Sequence, residues 1–303
     1  MSTHALTILG SSSALPTSHR FPSAQIVQFF GRFFLIDCGE GTQMQLRKIK
    51  VSFAKIQAIF ISHLHGDHFL GVFGVLSSFN LLGRTSPLTI YCPPGLQEII
   101  MCHMQFGDYS FNYKLHFVTL PSEDHVQIFS DKKISVIAHK VSHRVPCWAF
   151  EFTQNVTIRN LKKEYISQYN LSISQIATLK SGNDVLLENS EVLSHTECTY
   201  LVPKSSYVYI TDTRYLPSLA NHIKAPTLLY HEATFEAKCK QRAHETYHST
   251  SEQAACFAKA VNAKKLIIGH FSARYKQVDK LLNEAREIFP ETYAAEDLQS
   301  FSF

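Results

Sequence analysis

Ser62-His63-Leu64-His65-Gly66-Asp67-His68 places three histidines and a carboxylate within six positions. The run before it, Ile56-Gln57-Ala58-Ile59-Phe60-Ile61, alternates and is rich in β-branched residues, so it reads as a strand. Beyond it, Phe69, Val72, Phe73, Leu76 and Phe79 recur at helical spacing. The histidines therefore sit on a short loop between a buried strand and a helix, where α/β proteins gather ligands. His63 and His65 are two apart, so in extended backbone both rings point the same way and can grip one ion. Gly66 lets the chain turn, and Asp67 and His68 can then serve a second ion close by. Imidazole nitrogens and carboxylate oxygens suit zinc, with manganese and iron as competitors.

The rest of the chain is consistent with a folded protein that could hold such a site. Its 303 residues allow one large α/β domain or two smaller ones, with a sizeable core. Hydrophobic content of 45% against 18% charged residues excludes a disordered chain. A net charge of +4 permits a polyanionic partner without demanding one. The 16 histidines exceed what a core of this size needs. The seven cysteines form no C-x-x-C, and most lie inside apolar runs, so they read as reduced thiols of a cytoplasmic protein. Ala5 to Leu9 is too short for a signal peptide and reads as a first strand, and no apolar run reaches membrane-spanning length.

Taken in order, Leu6 to Leu9, Gln25 to Phe30 and Arg32 to Asp37 read as strands, the last two joined at Gly31 as a hairpin. A helix runs from about Thr42 to Ile49. Past the histidine stretch, Leu88 to Tyr91 is a strand, a helix starts at Leu96, and residues 113–152 hold several short strands with His143 in a turn. Residues 153–190 change character: Asn, Ser, Gln and Lys rise, and the segment reads as an inserted arm. Strands then end at Thr211-Asp212, His231-Glu232 and Gly269-His270, and Ser249 with Glu252 reads as a capping box. His63, Asp212, His231 and His270 each follow the last apolar residue of a strand. Near-continuous apolar strands imply sheets covered by helices. A single α/β unit spanning residues 1–303, with the arm at 153–190, fits best.

His63-x-His65-x-Asp67-His68, followed by a later His, Asp and His in strand-end loops, resembles the metallo-β-lactamase superfamily. That resemblance implies an αββα sandwich of two mixed β-sheets flanked by helices, with a two-metal site at one edge. Further blocks are similar to the short form of the ribonuclease Z family, the tRNA 3′-processing endoribonucleases. They include Pro16-Thr17-Ser18-His19-Arg20, Leu35 through Gln43, Ser62 through Gly71, Pro93-Pro94-Gly95-Leu96, His231-Glu232-Ala233-Thr234-Phe235, His248-Ser249-Thr250 and His270 through Tyr275. The blocks cover nearly the whole chain. The arm departs from the family, because it has no Gly-Pro and its basic residues are only Arg159, Lys162, Lys163 and Lys180.

The resemblance implies that His63, His65, His143 and Asp212 hold one zinc ion. Asp67, His68, Asp212 and His270 hold the other, with Mn2+ or Fe2+ as substitutes. A hydroxide bridging the two metals would attack phosphorus, leaving a tRNA 3′-hydroxyl and a trailer 5′-phosphate. Asp67 would orient the attacking water. His248 is the candidate donor to the 3′ oxygen or a phosphate contact, against a plain neighbour of a helix cap. Glu232 either orients a histidine or is only a satisfied carboxylate. Arg20 and Arg274 are candidate phosphate contacts, against simple surface charge. The family also implies precursor tRNA as partner, a homodimer, and the arm as a tRNA-binding exosite. The competing readings are another two-metal phosphodiesterase or arylsulfatase of the same fold acting on a small ester, and a non-catalytic metal-binding or RNA-binding protein. A complete ligand set argues against the last.

Overall fold

The apolar runs pair into two seven-stranded mixed sheets in the computed structural model, which describes residues 4–107 and 110–303. The first sheet runs Ser300–Ser302, His4–Gly10, Ala24–Phe29, Arg32–Cys38, Ile56–Phe60, Leu88–Cys92, Leu115–Thr119 from edge to edge. Its first four strands are antiparallel neighbours and its last four are parallel. The second runs Thr292–Ala294, Leu266–Gly269, Leu228–Glu232, Ser206–Ile210, Cys147–Gln154, Ile134–Val141, Val126–Ser130. Here the parallel half comes first and the antiparallel half second. Parallel strands put their carboxyl ends together, which aligns the residues after Phe60, Ile210 and Ile268 for a shared site.

The sheets face each other across an aromatic layer. Phe60 stacks on Tyr91 at 4.6 Å in its own sheet and meets Phe150 and Phe152 of the other edge-on, at 5.5 and 5.2 Å. These offset and T-shaped contacts suit ring quadrupoles as well as apolar burial. Outside the first sheet, Val72, Val75, Leu76 and Phe79 of helix Val72–Leu81 join Leu96 and Ile100 of helix Leu96–Gly107 over Leu35, Ile59 and Ile61. Outside the second, Ala254, Ala258 and Leu281 of helices Ser251–Ala260 and Asp279–Ile288 pack into the core that holds Leu229 and Ile267. This is the αββα sandwich the sequence implied.

The hairpin at Gly31 turns through Phe30 and Gly31, with φ of 50° and 76°, as a two-residue hairpin turn requires. Two local expectations change. The helical spacing from Phe69 to Phe79 is divided between two helices, Gly66–Phe69 and Val72–Leu81. The capping box uses Thr250 and Gln253 rather than Ser249 and Glu252, because the Ser249 hydroxyl donates to Thr213 O at 2.8 Å instead. The C-terminal strands Thr292–Ala294 and Ser300–Ser302 are three residues each, too short to show a period. All seven cysteines are free. No helix among the described residues is long and apolar enough to cross a membrane.

Residues 158–202 pair among themselves. Ile158–Leu161 runs against Thr199–Val202, and Val185–Leu186 against Val192–Leu193. Helices Lys163–Gln168 and Ile173–Lys180 complete the segment, over an apolar cluster of its own that includes Leu161, Leu171, Leu179 and Leu193.

Gly71 divides the two helices behind the histidine loop. Its amide donates to Cys38 O at 2.8 Å, and a Cβ there would lie 2.0 Å from Gly39 O. Gly71→Ala must push the loop off the strand below it. It should destabilise the protein by about 1–3 kcal/mol, read as a lower melting temperature in thermal unfolding.

Candidate active site

Four strand ends and one hairpin turn converge on a cleft of about 620 Å³. His63, His65, Asp67 and His68 come from the loop after Ile56–Phe60 and the short helix Gly66–Phe69. His143 comes from the turn between Ile134–Val141 and Cys147–Gln154, Asp212 follows Ser206–Ile210, and His270 follows Leu266–Gly269. The candidate ligand atoms of His63, His65, His143 and Asp212 lie within 4.8 Å of one another, as do those of Asp67, His68 and His270. His231 is not among them. It is buried on its strand beside Phe257, with Nδ1 2.7 Å from Glu232 O.

Asp212 stands between the two groups. Its Oδ2 is 3.5 Å from His63 Nε2 and 3.7 Å from His143 Nε2. Its Oδ1 is 3.4 Å from His68 Nε2 and 3.1 Å from His270 Nε2. Asp67 Oδ2 closes the second group, 3.2 Å from His68 Nε2 and 3.5 Å from His270 Nε2.

The outward ring nitrogens set the tautomers. His68 Nδ1 donates to Asp37 Oδ2 at 2.7 Å, and His143 Nδ1 donates to Tyr247 O at 3.1 Å. Ser62 Oγ donates to Asp37, so His63 Nδ1 donates to Ser62 Oγ at 3.0 Å. Thr234 Oγ1 donates to Glu232, so His270 Nδ1 donates to Thr234 Oγ1 at 2.9 Å. In each case the inward Nε2 is left as a bare acceptor. His68 Nε2 and His270 Nε2 are buried with no hydrogen-bond partner. His65 Nδ1 lies 3.1 Å from both His63 Nε2 and His143 Nε2, and one N–H cannot serve both. Tetrahedral ligands about 2.0–2.1 Å from an ion are themselves roughly 3.3 Å apart, so this crowding fits a shared cation.

Charge agrees with geometry. Burial keeps His63, His65 and His143 below the ordinary imidazole range, in the neutral form a metal requires. Burial also pulls His68 down, but Asp67, Asp212 and Asp37 outweigh it and raise His68 well above its usual value. Three carboxylates thus hold a positive charge on or beside one ring, and a divalent cation meets the same need without a proton. Burial would raise Asp212, yet the imidazoles around it, His270 and His68 foremost, hold it well below the carboxylate range. The residues present fit a divalent metal.

His248 and Glu232 lie on the adjoining wall. Burial lowers His248, but Glu232, 3.0 Å from Nδ1, pushes it up to about 9. Glu232 is fully buried and also accepts from Thr213 N at 2.7 Å. Arg20 donates to Tyr275 O at 3.0 Å and lies over Phe271. Arg274 lies over Phe235, with Nε donating to Ser272 Oγ at 3.2 Å, and both of those residues line the cleft. Sequence pattern alone assigned no role to Asp37, Thr234, Tyr247, Arg144 or Arg242. Asp37 had a legible sign, since it too is a polar residue ending an apolar run. Tyr247 acts through its carbonyl, which no side-chain pattern marks.

Comparison with known proteins agrees. A family model described as anti-Pycsar protein Apyc1 matches residues 4–110, the part that carries the histidine stretch. The metallo-beta-lactamase fold protein YhfI of Bacillus subtilis aligns with a TM-score of 0.70 over 99% of both chains, at 18% identity. The short form of human tRNase Z aligns with a TM-score of 0.71 over 98% of both chains, at 26% identity. The ribonuclease Z of Bacteroides thetaiotaomicron is 40% identical over 293 residues, 96% of this chain and 93% of its own. Two mixed sheets carrying a histidine–aspartate cluster at one edge define a metal-dependent hydrolase of the metallo-β-lactamase fold. Within that class the chain belongs to the ribonuclease Z family and is a metal-dependent endoribonuclease.

Asp37 provides a test of the groups that support the ligands. It is fully buried and accepts from Ser62 N, Ser62 Oγ, His68 Nδ1 and Tyr209 OH, all within 2.8 Å. Asp37→Asn replaces one acceptor oxygen with an amide donor and removes the charge at constant shape. Metal affinity should fall about 10–100-fold in a chelator competition titration.

Proposed function

We propose that the protein removes the 3′ trailer of precursor tRNA, leaving a tRNA 3′-hydroxyl and a trailer 5′-phosphate. The observation that carries this reading is Asp212, whose two oxygens face two histidine groups. Support for the substrate comes from relatives named ribonuclease Z and tRNase Z. In this reading His63, His65, His143 and Asp212 hold one zinc ion, and Asp67, His68, Asp212 and His270 hold another, with manganese or iron able to replace them. Such a pair, when bound, supplies an acidified water and positive charge for the phosphoryl oxygens.

The protein's own groups do the rest. Asp67, at the cleft surface, accepts a hydrogen bond from the attacking water and aims its lone pair at phosphorus. As the new P–O bond forms, the bond to the tRNA 3′ oxygen breaks, and phosphorus stays with the trailer. His248, raised to about 9 by Glu232 against the effect of burial, is protonated at neutral pH and gives its proton to the departing oxygen. Glu232 is a positioning residue, held by Thr213 and Thr234. The reading also takes the protein as a cytoplasmic homodimer with residues 153–190 as an RNA-contacting arm. A monomer by light scattering would count against the dimer.

Cleavage of a 3′-extended tRNA precursor by the zinc-loaded protein, with both new ends mapped, tests the reading. One cut with the stated ends is expected. An intact precursor beside a hydrolysed small phosphodiester would move the substrate elsewhere. Asp212→Ala should lose both metals and all cleavage, and retained activity would sink the bridging assignment. The pH profile tests the acid. A donor must be protonated, so kcat/KM should fall as pH rises through the His248 pKa. Glu232→Gln removes what raises that pKa, so the fall should move to lower pH.

A further inference from the structure

An RNA strand carries one negative charge per nucleotide, and neutralising those phosphates dominates affinity and its salt dependence. The arm is poorly equipped for that task. Residues 158–202 contain four lysines and arginines against five carboxylates, a net charge of −1. Two of the four are used internally: Arg159 Nη1 donates to Thr199 Oγ1 at 2.8 Å, and Lys162 Nζ donates to Glu197 O at 2.6 Å. What the segment shows outward is apolar. Ile173 is 88% exposed, and the cross-strand pair Leu186 and Val192 are 68% and 62% exposed.

The cleft leans the other way at its rim, with two arginines against one exposed carboxylate, Glu40. Arg144 follows His143 directly, Arg242 lies on helix Lys240–Thr246, and both line the cleft as exposed side chains. The other arginines nearby each commit one nitrogen and a guanidinium face to protein partners, which restrains them. Arg20 and Arg274 are held as described above, and Arg214 donates to His244 O with its guanidinium 3.6 Å from the Tyr247 ring. Among the described residues Arg144 has no hydrogen bond or ion pair. Arg242 has only a 3.9 Å contact with exposed Glu245, a pair of little strength that leaves its fork available. Guanidinium forks match phosphate oxygens two at a time.

The geometry points to Arg144 and Arg242 as the phosphate grip of this enzyme, holding backbone phosphates beside the scissile one, with the arm adding little neutralisation. This rests on RNA being the substrate.

The test is kcat/KM for precursor cleavage by the zinc-loaded enzyme across a salt series. Removing one cation that neutralises a phosphate should flatten the log–log slope by about 0.7–0.9. The variant Arg144→Ala/Arg242→Ala should therefore flatten it by about 1.4–1.8 and lower kcat/KM roughly tenfold or more at low salt. Arg144→Lys/Arg242→Lys keeps the charges and should keep the wild-type slope. Lys163→Ala/Lys180→Ala should also keep it, because on this inference the arm meets RNA through uncharged groups. Melting temperature and bound zinc, read on every variant, separate a weakened phosphate grip from an unfolded enzyme. A well-folded Arg144→Ala/Arg242→Ala enzyme with the wild-type slope overturns the inference. So does an arm variant that flattens the slope more than the rim variant does. A wild-type enzyme that leaves the precursor intact at every salt concentration instead removes RNA as the substrate, and this inference with it.

Discussion

The site depends on one carboxylate that the fold takes out of water. Asp212 is 2% exposed, and burial by itself would favour its neutral form. An ionised carboxylate persists in such a place only when opposite charge or strong donors surround it. Thr211 Oγ1 donates to Asp212 Oδ1 at 2.7 Å, and the other neighbours are imidazoles whose outward nitrogens already donate elsewhere, so in their neutral form they turn lone pairs toward Asp212. Lone pairs against carboxylate oxygens at 3.1–3.7 Å are not a self-sufficient arrangement. A proton on His68 relieves part of it, and divalent cations relieve all of it. Folding of this edge and metal loading are therefore linked: a cation that binds the folded protein and not the unfolded chain stabilises the fold.

The groups that orient these ligands belong to the core rather than to the surface. Asp37 is the penultimate residue of the strand Arg32–Cys38 of the first sheet, and it fixes His68 and, through Ser62, His63. Tyr209 reaches Asp37 from the second sheet at 2.7 Å, and Trp148 N donates to Ser62 O at 3.1 Å. Thr234 and Glu232, from the end of Leu228–Glu232, fix His270 and His248. On the first sheet, then, the ligands are tied to partners that the second sheet helps to hold, so packing between the sheets sets ligand geometry. That explains why an aromatic layer several residues from the cleft matters to it.

The sequence showed most of this where chemistry and periodicity coincide. Apolar runs that end abruptly in His63, Asp212 and His270 marked both the strands and the residues on their shared edge. The same rule over-reached at His231, which follows an apolar run yet turns into the core beside Phe257. The period of a strand says which residue comes last and not which way the chain bends afterwards. Where the chain bends is a matter of backbone conformation, and Asp37, Asp212 and His270 all take positive φ, at 53°, 40° and 58°. Asp and His tolerate such backbone better than most side chains, but that preference is too weak to mark one residue in a sequence. The rim arginines escaped for a different reason: Arg144 and Arg242 are ordinary surface charges until the fold shows which cleft they border.

Those left-handed residues also say how the site is built. Each costs about 1–2 kcal/mol relative to ordinary backbone, and alone it would relax and swing its side chain away. Here the strand before it is locked by ladder bonds on both sides, and the side chain is caught by hydrogen bonds, Asp37 to Ser62, Asp212 to Thr211 and His270 to Thr234. The strain is held by the sheet, and it aims the functional groups at the cleft floor. The floor is then rigid, desolvated and negatively charged through Asp67 and Asp212, while the rim carries long cationic side chains. Divalent metal held there would offset those two carboxylates, so a phosphodiester at the rim would meet positive charge at the floor as well.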